Sequence, residues 1–242
     1  IGIGFRALRN IGDTAGSNHG EFNIALGTFA LGGGDSSTYA NNTAYKNVAI
    51  GYATLNGATT AMTAYENIAI GFAAMNAAVA TIGSVAVGNR AGQYATGSYN
   101  TFVGSEAGKG GVDDVPFSSG QRNVAVGYQA LTNFTTGQYN VALGYHAGKS
   151  ITSGVQNAIM GYLAGEDLTT GGNNVIIGTE SLKNATDASN NVAIGKGAME
   201  VSYTSNDNVA IGASAGQNIG RDGTDTGSGH KTVAIGSYAG AG

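Results

Sequence analysis

The sequence contains no cysteine, so neither disulfides nor thiolate-bound metal can hold the fold together. That absence fits many compartments and identifies none of them. Proline occurs once, at Pro116, and glycine follows no strict three-residue period, which excludes a collagen helix. Charged residues make up 11% of the chain, against a usual share of roughly 25%. A disordered chain would need charge or proline to stay solvated, so this composition belongs to a folded protein. The formal net charge is −4 and Lys and Arg form no cluster, which removes the electrostatic footprint of a nucleic-acid binder. No run approaches the ~20 apolar residues of a membrane-spanning helix. Residues Ile1 to Gly4 have no basic region leading into an apolar core, and so do not read as a signal peptide. They also lack a Met and begin inside a repeat, so the chain reads as a fragment or processed piece of something longer.

What the chain does have is glycine, 42 of 242 residues, and one phrase repeated thirteen times. The phrase is written most cleanly at Asn191-Val192-Ala193-Ile194-Gly195: Asn, a β-branched residue, a small or apolar residue, an aliphatic, then Gly, with a small residue three positions later. Its glycines fall at Gly4, Gly27, Gly51, Gly71, Gly88, Gly104, Gly127, Gly144, Gly161, Gly178, Gly195, Gly212 and Gly236. From Gly127 to Gly212 every step is 17 residues; elsewhere most steps are lengthened by insertions. Periods of this size point to stacked architectures rather than to a globule with one centre. The expected organisation is one elongated unit over residues 1–242, with less regular rungs in 1–122, regular rungs in 123–216 and a final insertion and rung in 217–242.

Each phrase is a short strand. Val124-Ala125-Val126, Val141-Ala142-Leu143 and Val175-Ile176-Ile177 are β-branched runs closed by Gly, and no apolar 3.6-residue period extends beyond them. A second short strand is expected around Phe134-Thr135-Thr136, Ile151-Thr152-Ser153 and Leu168-Thr169-Thr170, each followed by Gly as a turn residue. Two strands and two turns fill 17 residues, so the fold class is all-β: a parallel β-solenoid of about thirteen rungs. At the ~4.8 Å strand spacing such a coil would be roughly 60 Å long. Equivalent residues then form ladders. Asn123, Asn140, Asn157, Asn174, Asn191 and Asn208 make a structural ladder, each Asn expected to take the left-handed backbone of a tight corner and to bond its neighbours along the stack.

Strand side chains alternate, so Val192 and Ile194 point one way and Ala193 the other. With the small residues inside, the chain exposes an apolar stripe made of Val124, Val126, Val141, Leu143, Val175, Ile177, Val192, Ile194, Val209 and Ile211. A contiguous patch of this length exceeds the few hundred Å² a soluble monomer exposes, and calls for another chain to cover it. The opposite assignment, with the larger side chains inside, would permit a monomer.

The phrase Asn-Val-Ala-Ile-Gly-x-x-Ala is similar to the head repeats of trimeric autotransporter adhesins, and Asn123 to Asn133 resembles repeats of bacteriophage tail fibres. The likeness covers essentially the whole chain, although the adhesin repeat is shorter than the 17 residues found here. It implies a left-handed parallel β-roll, three chains twisted about a common axis with the phrase strand facing the trimer interior, and an extracellular place on a virion tail or a bacterial surface. The function expected from it is that of a fibre segment giving reach, rigidity and attachment to a host-cell glycan or protein receptor. A self-assembling filament joined end to end, without receptor binding, is the alternative.

Other chemistry is thin. Gly144 to Ser150 is one residue short of a phosphate-binding loop and no helix is expected after it. His19, His146 and His230 lie in different repeats without metal-ligand spacing, and read as solvated surface side chains. Asp113 and Asp114, and Asp222 and Asp225, could serve a polysaccharide-cleaving site or hold Ca²⁺, but Asp and Gly are ordinary turn residues and neither loop has full calcium-site spacing. Thr135, Thr152, Thr169 and Thr186 form a rank that raises ice binding, though such a rank also has a plain role as cross-strand Thr pairs. The expectation is therefore no enzyme, no cofactor and no bound metal. Recognition is placed in the insertions, with Asp113, Phe117, Arg122, Arg221 and Asp222 as receptor contacts, since loops on a rigid scaffold carry binding. The rank Tyr128, Tyr145, Tyr162 is either adhesive, or packed over the rod's own surface or at a seam between chains.

Overall fold

The computed structural model describes residues 1–9, 21–32, 43–57, 62–77, 80–111, 117–219 and 231–241. It divides into two compact units, Ile1–Arg122 and Asn123–Gly242. The first holds strands β1 (Gly2–Ile3), β2 (Ile24–Leu26), β3 (Val48–Ile50), β4 (Ile68–Ile70), β5 (Val85–Val87) and β6 (Thr101–Val103). The second holds β7 (Val124–Val126), β8 (Val141–Leu143), β9 (Ala158–Met160), β10 (Val175–Ile177), β11 (Val192–Ile194), β12 (Val209–Ile211) and β13 (Val233–Ile235). Within each unit every strand pairs in parallel with the next in sequence, and equivalent residues face one another: Val175 opposite Val192, Ala193 opposite Ala210, Ile24 opposite Val48. Among the described residues there is no helix. One short strand per repeat, stacked in parallel and in register, is the arrangement of a β-solenoid.

The phrase Gly makes the stack possible at the end of each strand. Gly144 has φ +137, and a Cβ there would sit on the carbonyl oxygen of Gly161 in the next rung. A side chain at this position would be strained by backbone and neighbour alike. After it the chain runs through three overlapping turns, in which N–H groups bond alternately to their own turn and to an adjacent rung. Ala147, Lys149 and Ile151 donate to the carbonyls of Gly144, His146 and Gly148 in their own rung, at 3.4, 3.2 and 3.1 Å. Between them, His146 donates to Tyr128 O at 3.0 Å, Gly148 to Ala164 O at 2.9 Å and Ser150 to Glu166 O at 3.0 Å. The alternation requires left-handed backbone at every second residue, and so Gln129, His146, Leu163 and Glu180 all have φ between 54 and 57° without being glycine. Such residues cost of order 1–3 kcal/mol each unless their surroundings hold them, and here the inter-rung bonds do.

The expected second strand is absent. Residues 135–136, 152–153 and 169–170 are bends, because one carbonyl collects consecutive donors: Thr152 O accepts the N–H of Thr135, Thr136 and Gly137 at 2.8, 3.1 and 3.1 Å. A strand must present N–H and C=O alternately to its neighbour, and this stretch does not. In the first unit Ala95, the equivalent of Phe134, makes an isolated parallel bridge to Ser118.

The core lies between the strand's inner face and these turns. Ala125, Ala142, Ala193 and Ala210 are fully buried at the middle of their strands, with Leu131, Phe134, Ile151, Leu168 and Leu182 contributed by the turns. Volumes trade between the two sides. Where the strand carries Phe102 in place of Ala, the turn carries Gly108, and a Cβ there would overlap the Phe102 ring. Likewise a Cβ on Gly148 would come within 2.9 Å of Ile159 Cδ1. The trade is local and crosses rungs: Ala142 and Gly148 share one rung whose space is filled by Ile159 of the next, whereas Ile176 and Leu182 are both fully buried in another.

Candidate functional site

At the corner before the strand the ladder Asn residues are buried, each at most 1% exposed from Asn123 to Asn208. Asn157 shows the pattern. Its backbone N–H and its Nδ2 both donate to Asn140 Oδ1, at 3.1 and 3.0 Å, and Nδ2 also donates to Gly171 O at 2.9 Å. Its own Oδ1 accepts from the N–H and Nδ2 of Asn174 at 3.1 and 2.9 Å. Both donors and both lone pairs of the amide are used, which leaves nothing for a ligand. The left-handed corner is not at Asn but one residue earlier, at Arg122, Tyr139, Gln156, Asn173, Asn190 and Asp207, with φ between 57 and 60°. Turning the chain there points the Asn N–H down the stack at the preceding amide.

On the strands, the residues flanking the buried Ala face outward. Val126, Val141, Ile177 and Ile211 are each more than a third exposed, while Val124, Leu143, Val175, Val192, Ile194 and Val209 are half-buried. Met160 belongs to the same stripe. Beside it runs the tyrosine rank. The Tyr128 and Tyr145 rings stack at 5.4 Å and those of Tyr145 and Tyr162 at 5.3 Å, all three partly exposed. In the first unit Tyr52 and Phe72 repeat the arrangement at 5.4 Å.

His146 is not the solvated histidine expected of it. Its ring lies on Tyr145 at 3.9 Å between centroids, Nδ1 is 3.0 Å from Glu166 Oε1, and only 12% of the side chain is exposed. The left-handed turn at residue 146 folds the ring back over its neighbour. His19 and His230 lie outside the described residues. Nearby, Lys149, Glu166, Lys183 and Glu200 occupy the same place in successive rungs with alternating sign. Partial desolvation, with Glu166 adding to it, raises the pKa of the exposed Asp167 carboxyl above its ordinary value, while Lys183 and Lys149 oppose the shift.

The Thr rank does not pair side chain to side chain. Thr135, Thr152, Thr169 and Thr186 each donate Oγ1 to the carbonyl of the next rung, at 3.0, 3.3, 2.8 and 3.3 Å. Residues 144–150 form turns with no helix behind them, so the phosphate-loop likeness ends there.

Of the expected receptor contacts, Asp113, Arg221 and Asp222 lie outside the described residues, as do Asp114 and Asp225. Phe117 is exposed, and the Arg122 guanidinium lies over the Tyr99 ring at 5.5 Å. Among the described residues no group of three or more acidic or His side chains could hold a metal ion. In comparisons with family models, curated proteins and solved structures, nothing matches this chain.

Proposed function

We propose that the chain is a structural and adhesive segment of an extracellular fibre, built as a left-handed β-roll in which three copies pack their phrase strands against one another. Its work is reach, rigidity and attachment, as the resemblance to tail-fibre and trimeric adhesin repeats implies, on a virion tail or a bacterial surface. The observation that carries this reading is the apolar stripe of Val, Ile, Leu and Met on the strands, exposed in a single chain. Such a stripe is costly to leave in water and is what a shared core between chains would cover. The placing of insertions supports it. Every lengthened spacer falls at least five residues after the phrase Gly and before the residue that opens the next phrase, Asn in four cases and Thr232 in the last. In the sequence, no insertion separates a strand from its phrase Gly or from the residue after it, the position of Tyr128, Tyr145 and Tyr162.

The absence of native cysteine makes the test clean. Ile194→Cys treated with a three-armed maleimide is expected to give a covalent trimer, and Thr170→Cys, on an outer row, only single chains. Single chains from both variants, or trimers from Thr170→Cys alone, would sink the reading.

A further inference from the structure

In the second unit, the stretch between the turns and the ladder Asn forms five stacked segments, residues 135–139, 152–156, 169–173, 186–190 and 203–207. They are held side by side at both ends. Thr135, Thr152, Thr169 and Thr186 donate N–H to the carbonyl of the next rung at 2.7 to 3.0 Å, and Gln156, Asn173, Asn190 and Asp207 donate to the previous rung at 2.9 to 3.1 Å. Two side-chain positions are exposed in every segment, with Val155, Thr186 and Tyr203 exposed besides. One row reads Thr136, Ser153, Thr170, Asp187, Thr204, and the other Tyr139, Gln156, Asn173, Asn190, Asp207.

The chemistry of these rows is unlike that of an ordinary solvated face. The five segments contain no Lys or Arg, and their only charges are Asp187 and Asp207; the Lys and Glu residues of this unit sit mainly on the turns instead. Hydroxyls and amides both donate and accept, which suits a ligand whose own groups do the same. Tyr, Ser and Asn are also the residues that binding surfaces favour, because they give contact and hydrogen bonding at low entropic cost. The framework under the rows is already ordered. The Thr rank is fixed by its Oγ1 bonds, Ser189 Oγ accepts from Gly172 N–H at 3.1 Å, and Asn206 Oδ1 accepts from Ser189 N–H at 2.7 Å. A surface organised in advance loses less on binding. Its groups also recur at each rung, roughly every 4.8 Å, so a polymer can meet equivalent groups several times over and gain by multivalency.

We infer that this hydroxyl and amide face binds a neutral polysaccharide laid across successive rungs. The lack of cations speaks against nucleic acid and acidic glycans, and the exposed large side chains, Tyr139, Val155 and Tyr203, lie in separate segments rather than in one desolvated cluster of the kind a protein hot spot needs. The inference rests on the attachment half of the proposed function and not on the number of chains.

Affinity electrophoresis in gels containing neutral polysaccharides (a β-glucan, a galactomannan, dextran) or anionic ones (alginate, heparin) tests it. At least one neutral polymer is expected to retard the protein, with at least tenfold weaker retardation for the combined Thr136→Ala, Ser153→Ala, Thr170→Ala variant at an unchanged melting temperature. Retardation by anionic polymers only, by none of the panel, or equally for the triple variant overturns it, and so does binding lost in Tyr145→Ala but kept in the triple variant. Solution mass is measured in parallel. A single chain that binds would refute the three-chain reading and leave this one standing, whereas a trimer that fails to bind refutes this one alone.

Discussion

The two units follow one rule with different tolerance. In Asn123–Gly242 the Asn ladder runs unbroken from Asn123 to Asn208, and the steps are 17 residues until the last. In Ile1–Arg122 the steps vary, and the ladder is interrupted at Ser84. There Asn67 Oδ1 accepts only the Ser84 N–H, at 2.9 Å, and Asn100 N–H falls back on Ser84 Oγ at 3.1 Å. The core differs too, since only the first unit places a Phe on a strand. Both units nevertheless keep the phrase Gly at every rung with φ between 119 and 143°. The comparison separates what stacking requires from what it merely prefers. The Gly is required by contact with the next rung's backbone, whereas the amide and the division of core volume can be exchanged against a neighbour.

The largest effect should therefore be common to both units. Gly51→Val and Gly144→Val are each expected to cost about 4 kcal/mol in denaturant unfolding, strain and overlap adding together; a mild effect in either unit would break the shared rule. Next comes the core. Phe102→Ala should cost about 3–5 kcal/mol, with part of the loss recovered by Gly108→Ala in the same chain, because the cavity then accepts the new methyl. No recovery would mean that strand and turn volumes are not coupled. The ladder follows. Asn157→Ala strands the buried Asn174 donors and should cost about 3 kcal/mol, whereas Ser84→Asn, which restores the first unit's missing amide, should gain about 1 kcal/mol.

The smallest effect is electrostatic. Asp167 holds its proton more tightly folded than unfolded, chiefly through partial desolvation of a side chain that is itself exposed. Its contribution to stability is therefore full below the unfolded titration and lost as pH rises through the raised one. Asp167→Asn should raise the melting temperature slightly at pH 7, by under about 0.5 kcal/mol in stability, and the gain should fade below about pH 4.

Much of the architecture is legible in the residues. The spacing of Gly127, Gly144 and Gly161 gives the repeat, and alternation alone separates Ala193 from Val192 and Ile194, which are the sides they take. The turns are not legible in the same way. Left-handed Gln129, His146 and Glu180 carry no compositional mark, because bonds to neighbouring rungs impose the conformation rather than the residue type. For the same reason Thr135 and Thr136 look like strand and are not, and the corner falls on Arg122 and Tyr139 instead of on Asn. His146 and Glu166 are 20 residues apart, and only the path of the turn brings them together. The exchange between Phe102 and Gly108 was open to reading, since residues four after the phrase Gly are Leu, Met or Gly in every rung. It becomes meaningful only once the turn is known to face the strand.

The proposed cover of the strand stripe can be measured most directly as the mass of the folded protein in solution, by light scattering or sedimentation. Three times the 24.0 kDa chain mass is the expected result, falling to one chain when Ile177 and Ile194 are both replaced by Lys. A folded, stable species at the mass of a single chain, with the stripe bare, would contradict it.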